Sequence, residues 1–279
     1  MGDQGQIVGT VAEAWRFPVK SFQGEQLPSL DLTDVGFVGD RLWGVVDNAS
    51  GRTLSAKTVP ELLFASARTA DGAVVITLPD GTEHEAAAAG TSAAIAAWID
   101  RDCSLRPASE VTGSSYEMTF DPPNDEAELY EIPMAANTFF DLTPIHVLTT
   151  GSLATMAAAH PDGVWDVRRF RPNLLISTPS PDPADGTVPA APVEPGVAHP
   201  LFPEDGWVGA TITAGAASIA VVMAAVRCAM PNRAQPTFAR DIEIFRTLNV
   251  HHGNHLGVYC ESRGAGTVAV GDDVSVRPA

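Results

Sequence analysis

The chain has 279 residues, 45% of them hydrophobic, enough for one large domain or two ordinary ones with proper cores. Its 17 Lys and Arg stand against 34 Asp and Glu, and the net charge of −17 excludes nucleic acid and anionic membranes as long-range partners. An anionic ligand would have to be met by a local gathering of the few basic residues, so their positions are informative.

The opening MGDQGQIVGTVAEAWRF has neither the basic leader nor the apolar block of a secretory signal. Cys103, Cys228 and Cys260 are too few and too far apart for a disulfide framework or a paired metal motif, and a cytoplasmic location is expected. Residues 1–106 read as short strands, among them IVGTVAEAWRFPV, RLWGVVDNASGRTLSA and LLFASARTADGAVVITLPDG, with hairpin turns expected at NASG and ADG. This predicts an N-terminal β-barrel-like domain. It ends in a short helix within TSAAIAAWIDRDC, capped by Thr91 or Ser92.

Residues 107–128 are polar, acidic and Pro-containing, and read as a linker. A second domain over 129–279 begins with the strand IHVLTT, the helix GSLATMAAAH and the segment RRFRPNLLIS. Residues 178–206 form a Pro-rich stretch without a packed pattern, expected as a surface insertion. The uncharged run 210–226 is near the lower limit for a membrane span, but its β-branched residues and the central TAGAAS predict two strands. A helix from about Asp241 and a final hairpin in TVAVGDDVSV complete a fold that is mainly β with a few helices, an α+β chain.

Several positions carry chemistry. Lys20 and Ser21 follow a strand, where a cation and a hydroxyl can be aimed at an anion, and Arg41 stands at the next strand start. Thr150, Gly151 and Ser152 lie between a strand and a helix, as a helix cap, an anion seat or both. DVRRFRPN places three arginines in four positions; Arg168 and Arg169 read equally as auxiliary contacts or surface charges. Cys228 ends an apolar run directly after Arg227, either as a small buried hydrophobe or as a thiolate favoured by the adjacent cation. Cys103 and Cys260 read as packing thiols. His251, His252 and His255 fit a helix C-terminus better than a metal cluster, because Gly253 and Asn254 interrupt the register. No nucleotide-binding glycine loop, zinc-protease motif or serine-hydrolase elbow occurs.

FPVKSFQGE (17–25) with GDRLWGVVD (39–47), FRPNLLIS (170–177), VRC (226–228) and NHLGVYCESRGAGTVAVGDDVSV (254–276) occur in one shared order. On these segments the chain resembles the MOSC domain family, the molybdenum-cofactor sulfurase C-terminal domain, preceded by an N-terminal MOSC β-barrel domain. Within it the likeness is to the amidoxime-reducing component and its bacterial counterparts. The resemblance implies two β-barrel domains, a molybdopterin-type molybdenum cofactor, and reduction of N-hydroxylated or N-oxide compounds by oxygen-atom removal. It also implies Cys228 as the metal ligand and reacting centre. Lys20, Ser21, Arg41, Thr150, Ser152, Arg171, Asn173, Arg227 and Asn254 are then implied on the rest of the cofactor.

The chain departs from the family after the cysteine, where many relatives have a Thr and then an Asp-Pro pair. Here the run is AMPNRAQP, with Gln235 in the acid's place. No cysteine cluster for an iron-sulfur module follows Cys228, so a separate electron-transfer protein of ferredoxin or cytochrome type is expected, together with a small-molecule substrate. The other readings are a sulfur carrier with a persulfide on Cys228, a protein that only binds the cofactor, and a MOSC-like scaffold used without it.

Overall fold

The computed structural model describes residues 5–119, 127–179, 188 and 192–278. Its first half contains β1 (Gln6–Arg16), β2 (Glu25–Leu27), β3 (Ser29–Thr33), β4 (Gly36–Phe37), β5 (Trp43–Asp47), β6 (Ser66–Ala70), β7 (Ala73–Thr77), β8 (Glu83–Glu85), α1 (Thr91–Ile99) and β9 (Cys103–Pro107). β6, β7 and β8 form an antiparallel meander and β5 pairs with β9, around a core that includes Phe22, Val45, Leu62, Ile76 and Ile95. The expected turn at ADG is present. Asp71 and Gly72 both have positive φ (51° and 82°), which the twist of a two-residue hairpin requires.

The cap of α1 differs from expectation. Gly90 holds the cap position, while Thr91 donates to the Glu85 carbonyl (2.6 Å) and Ser92 accepts from the Leu105 amide (3.0 Å). Both hydroxyls tie the helix to its neighbours, so neither is available to its own first turn. Residues 107–128 also do more than connect. β10 (Ser115–Met118) pairs with β11 (Tyr130–Pro133) and buries Tyr116; residues 120–126 lie outside the described residues.

The second half contains β12 (Ile145–Thr149), α2 (Thr150–Ala159), α3 (Val167–Phe170), β13 (Leu174–Ser177), β14 (Thr211–Ala214), β15 (Ala217–Val226), α4 (Glu243–His252), β16 (His255–Gly264), β17 (Gly266–Ala269) and β18 (Asp273–Arg277). Seven strands, in the order β13-β12-β16-β15-β14-β18-β1, close into a barrel through the β1–β13 pairing. Its interior is apolar and includes Val11, Val147, Ile176, Ile212, Ile219 and Cys260. The run 210–226 supplies two of these strands, and among the described residues no helix is long and apolar enough to cross a membrane.

The final hairpin does not form. Its two strands exist, but β17 pairs with β3 and β18 joins β14 to β1, because barrel closure needs β18 on both edges. Of the insertion 178–206, residues 180–187 and 189–191 lie outside the described residues. Its end packs inward, with Phe202, Glu204 and Asp205 buried.

Candidate functional site

The segments FPVKS and GDR are stitched together by main-chain bonds. Arg41 donates its amide to the Phe17 carbonyl (2.7 Å), Phe17 donates its own to Asp40 Oδ1 (2.7 Å), and Lys20 donates to the Trp43 carbonyl (2.8 Å). FRPN enters from β13: Asn173 accepts from the His146 amide through Oδ1 (3.1 Å) and donates Nδ2 to the Trp15 carbonyl (3.3 Å). Its carboxamide thus joins β1 to β12 while the residue lines the cleft.

These bonds bring distant residues to one cleft. Lys20, Ser21, Arg41, Arg171, Asn173, Arg227 and Cys228 all line it, together with Ser55, Asp141, His146, Arg169, Phe170, Met230 and Tyr259. Five of the chain's 17 basic residues face this cleft and, among the described residues, Asp141 is the one carboxylate lining it, so the local field opposes the global charge and favours an anion.

Backbone geometry marks the same place. Ser21, Arg41 and Arg171 have φ of 68°, 50° and 57°, three of the seven non-glycine residues with positive φ among the described residues. Left-handed conformations are costly for such side chains and persist where surrounding structure enforces them, often at functional sites. The guanidiniums of Arg171 and Arg41 both lie over the Phe17 ring, 4.1 and 5.2 Å from its centre. Arg171 also donates Nη1 to the Phe22 carbonyl (2.5 Å) and has no ion-pair partner among the described residues. Burial and the neighbouring Arg41 pull its pKa well down. An Arg remains charged near neutrality even so, which leaves an unneutralised fork for an anion.

Lys57, overlooked in the sequence, joins this site. It donates to Asp141 Oδ2 (2.7 Å), Lys20 is ion-paired with Oδ1 of the same carboxylate, and Lys57 Nζ lies 3.9 Å over the Tyr116 ring. Burial lowers Lys20 to about 8 despite Asp141, whereas for Lys57 the burial is outweighed by Asp141, Cys228 and Tyr116 and its pKa is raised. Burial would raise the Asp141 carboxyl, but the two ammonium groups hold it far below its ordinary range. A lone Lys in LSAK reads as a surface charge; the scarcity of basic residues was its only signal.

Cys228 is half-buried at the cleft, two residues past the end of β15, and is unpaired. Arg227 directs its guanidinium inward, donating Nη2 to the Phe170 carbonyl (2.8 Å) and Nη1 to His146 Nε2 (3.3 Å). Burial, then Arg227, keep His146 neutral by lowering its pKa. Gly257 makes room for that ring: with φ of 82°, its place would put a Cβ 2.4 Å from His146 Nε2. Cys103 and Cys260 are buried; burial raises the pKa of both, Cys103 to about 11.

Arg169, left open in the sequence, is structural. It donates to the carbonyls of Val164, Pro231, Arg233 and Ala239 and stacks on Phe238 at 4.1 Å, fastening the loop after Cys228 to α3. Arg168 pairs with Asp166. Gln235, which stands where relatives have an acid, accepts from Gln23 Nε2 (2.8 Å) and does not line the cleft.

Thr150, Ser152 and Asn254 are not in the cleft wall. The start of α2 is filled by the chain's own Glu204 carboxyl, whose pKa burial raises and whose Oε2 accepts from Thr149 and Ser152 (2.6 Å each), while Thr149 caps the helix. Thr150 bonds with Thr178. Asn254 braces the cysteine turn: Arg227 donates its amide to the Asn254 carbonyl (2.9 Å), and Asn254 Nδ2 returns a bond to the Arg227 carbonyl (2.8 Å).

A model of the MOSC N-terminal beta barrel domain matches residues 8–110, and one of the MOSC domain matches residues 135–275. Human mitochondrial amidoxime-reducing component 1 is 29% identical over 196 residues, which are 62% of this chain and 57% of that protein. The match therefore spans a little over half the length of that relative. The crystal structure of the YUAD protein from Bacillus subtilis covers 98% of this chain and 97% of its own at 12% identity, with a TM-score of 0.44, a likeness too slight to carry an argument.

Proposed function

This chain belongs to the MOSC domain family, and on that footing we propose that it is a molybdenum-cofactor-dependent reductase of N-hydroxylated or N-oxide compounds. One observation carries the reading: Cys228 and a set of cations drawn from four separate segments line a single cleft. A molybdopterin-type cofactor presents a phosphate and a soft metal, and this donor set offers cationic forks and a thiol. Two buried groups at the cleft, Ser55 Oγ and Arg227 Nε, have no partner within the described residues, as donors turned toward a ligand would. The residues present fit the group.

Cys228 would hold the metal, and Arg171, Arg41 and Lys20 would face the phosphate. When bound, the cofactor supplies two-electron removal of oxygen from an N–O group. Lys57 and Asp141 set the charge of this wall. Lys20, lowered to about 8, can hold or release a proton at Nζ near neutral pH, a role open because Gln235 brings no acid to the cleft. Leu142, Pro144 and Met230 provide an apolar border that limits water. A separate electron-transfer protein of ferredoxin or cytochrome type is part of this reading, as is a cytoplasmic location, consistent with three unpaired cysteines.

The test is metal analysis with pterin fluorescence on protein purified from a molybdenum-replete host that makes the cofactor. Stoichiometric molybdenum and pterin are expected. Their absence overturns the proposal, and a sulfur adduct on Cys228 by intact mass would instead identify a sulfur carrier.

A further inference from the structure

The buried end of the Pro-rich insertion, the filled start of α2 and the histidines that close α4 form one connected structure. Glu204 accepts from the Thr149 and Ser152 hydroxyls (2.6 Å each). The next residue, Asp205, bonds through Oδ2 with His252 Nε2 (2.6 Å). The other nitrogen of that ring faces the His255 carbonyl (2.9 Å), and the ring stacks on Phe202 with 3.7 Å between centroids. With both nitrogens bonded and one face covered, the ring has no freedom to turn.

Gly253 and Asn254 follow His252 directly, both left-handed, with φ of 52° and 64°. The Asn254 amide bonds to the Leu248 carbonyl (3.1 Å), and Asn254 grips Arg227 through the two bonds given above. This grip acts on the main chain of the turn that carries Cys228, beside the last strand pair, Val226 with His255, and the side-chain bonds of Arg227 to Phe170 and His146. Each link from the insertion to the thiol is thus a direct bond or a chain neighbour.

We propose that Asp205 is a positioning residue for Cys228: by fixing His252 it holds the left-handed pair Gly253–Asn254, and through Asn254 it keeps the Arg227–Cys228 turn at the cleft. The importance of the thiol rests on the function proposed above; the positioning itself concerns only atoms of this chain. Glu204 anchors the same end of the insertion to α2 independently, so removal of the Asp205 carboxylate leaves the segment attached.

The test uses the full chain without cofactor, reading amide exchange at Arg227 and the rate at which Cys228 reacts with a water-soluble disulfide reagent, with the modified residue assigned by peptide mass. For Asp205→Ala both rates are expected to rise about tenfold, because the clamp opens locally, while amides of β6 and β7 exchange as in the parent. Asp205→Asn should restore parental rates, since its carboxamide oxygen can accept from His252 Nε2 where the carboxylate oxygen did. If Asp205→Ala does not accumulate as folded protein, His252→Gln cuts the relay one link later, because its carboxamide cannot reach both acceptors. Parental rates in Asp205→Ala or His252→Gln, or an Asp205→Asn as loose as Asp205→Ala, would overturn the proposal. A chain without molybdenum would sink the proposed function and leave these rates untouched.

Discussion

Lys57 Nζ donates to Asp141 Oδ2 at 2.7 Å, while Oδ1 of the same carboxylate is ion-paired with Lys20. One partly exposed acid therefore balances two buried ammonium groups. Asp141→Asn should destabilise the fold by about 1–3 kcal/mol, the cost of leaving a buried charge without its counter-ion, reduced by solvent at the acid. Urea denaturation at neutral pH checks this; an unchanged midpoint would show that the lysines find other partners.

The lowered pKa of Lys20 has a signed consequence for stability. Below about 8 both folded and unfolded chains hold the proton, so burial of the charge counts in full against the fold. Between about 8 and the ordinary 10.5, only the unfolded chain retains it. Raising pH through that window should favour the folded state by about 1–3 kcal/mol relative to Lys20→Met, which lacks the titrating group. Paired denaturation curves at both ends of the window measure the difference.

Gly257→Ala should cost about 1–3 kcal/mol, because it forces a side chain into a left-handed position costly for any other residue. Its Cβ would also meet His146 Nε2 and the Val147 carbonyl at 2.4 and 2.6 Å. The ring, which lines the cleft, must move, so under the proposed function weaker cofactor retention should accompany the loss of stability. Denaturation and molybdenum content read the two effects separately.

Cys228→Ser should leave the melting temperature nearly unchanged, because this thiol is half-buried outside the barrel core, and under the proposed function it should abolish molybdenum binding. Arg169→Lys should do the reverse in kind. An ammonium cannot span the carbonyls of Val164, Pro231, Arg233 and Ala239, so a loss of about 2 kcal/mol and a loosened loop after Cys228 are expected. Calorimetry and metal content separate the two variants.

The barrel strands were readable because alternation and turn residues record which face is buried, as in the 210–226 run that became β14 and β15. The convergence of Lys20, Arg41, Arg171 and Cys228 was readable only as a shared order of motifs. Lys57 was not, because a single cation carries no pattern and its meaning comes from Asp141, 84 residues away. Pairing partners were also hidden: nothing local to TVAVGDDVSV shows that its first strand belongs with β3. Nor does composition show that Glu204 fills the helix start where Thr150 and Ser152 suggested a ligand.

β1 lies between β13 and β18, so Gln6–Arg16 closes the barrel only once the sequence-distant Asp273–Arg277 has been made. Until Asp273–Arg277 is in place, the Gln6–Thr10 stretch of β1 lacks its β18 partner and the barrel stays open, although β2 and β13 can already pair with the rest of the strand. Such long-range closure slows folding and leaves an adhesive edge exposed during synthesis. The nascent chain should therefore be a client for chaperones that shield strand edges, and removal of the β18 residues Asp273–Arg277 should release an open sheet rather than a slightly shortened barrel.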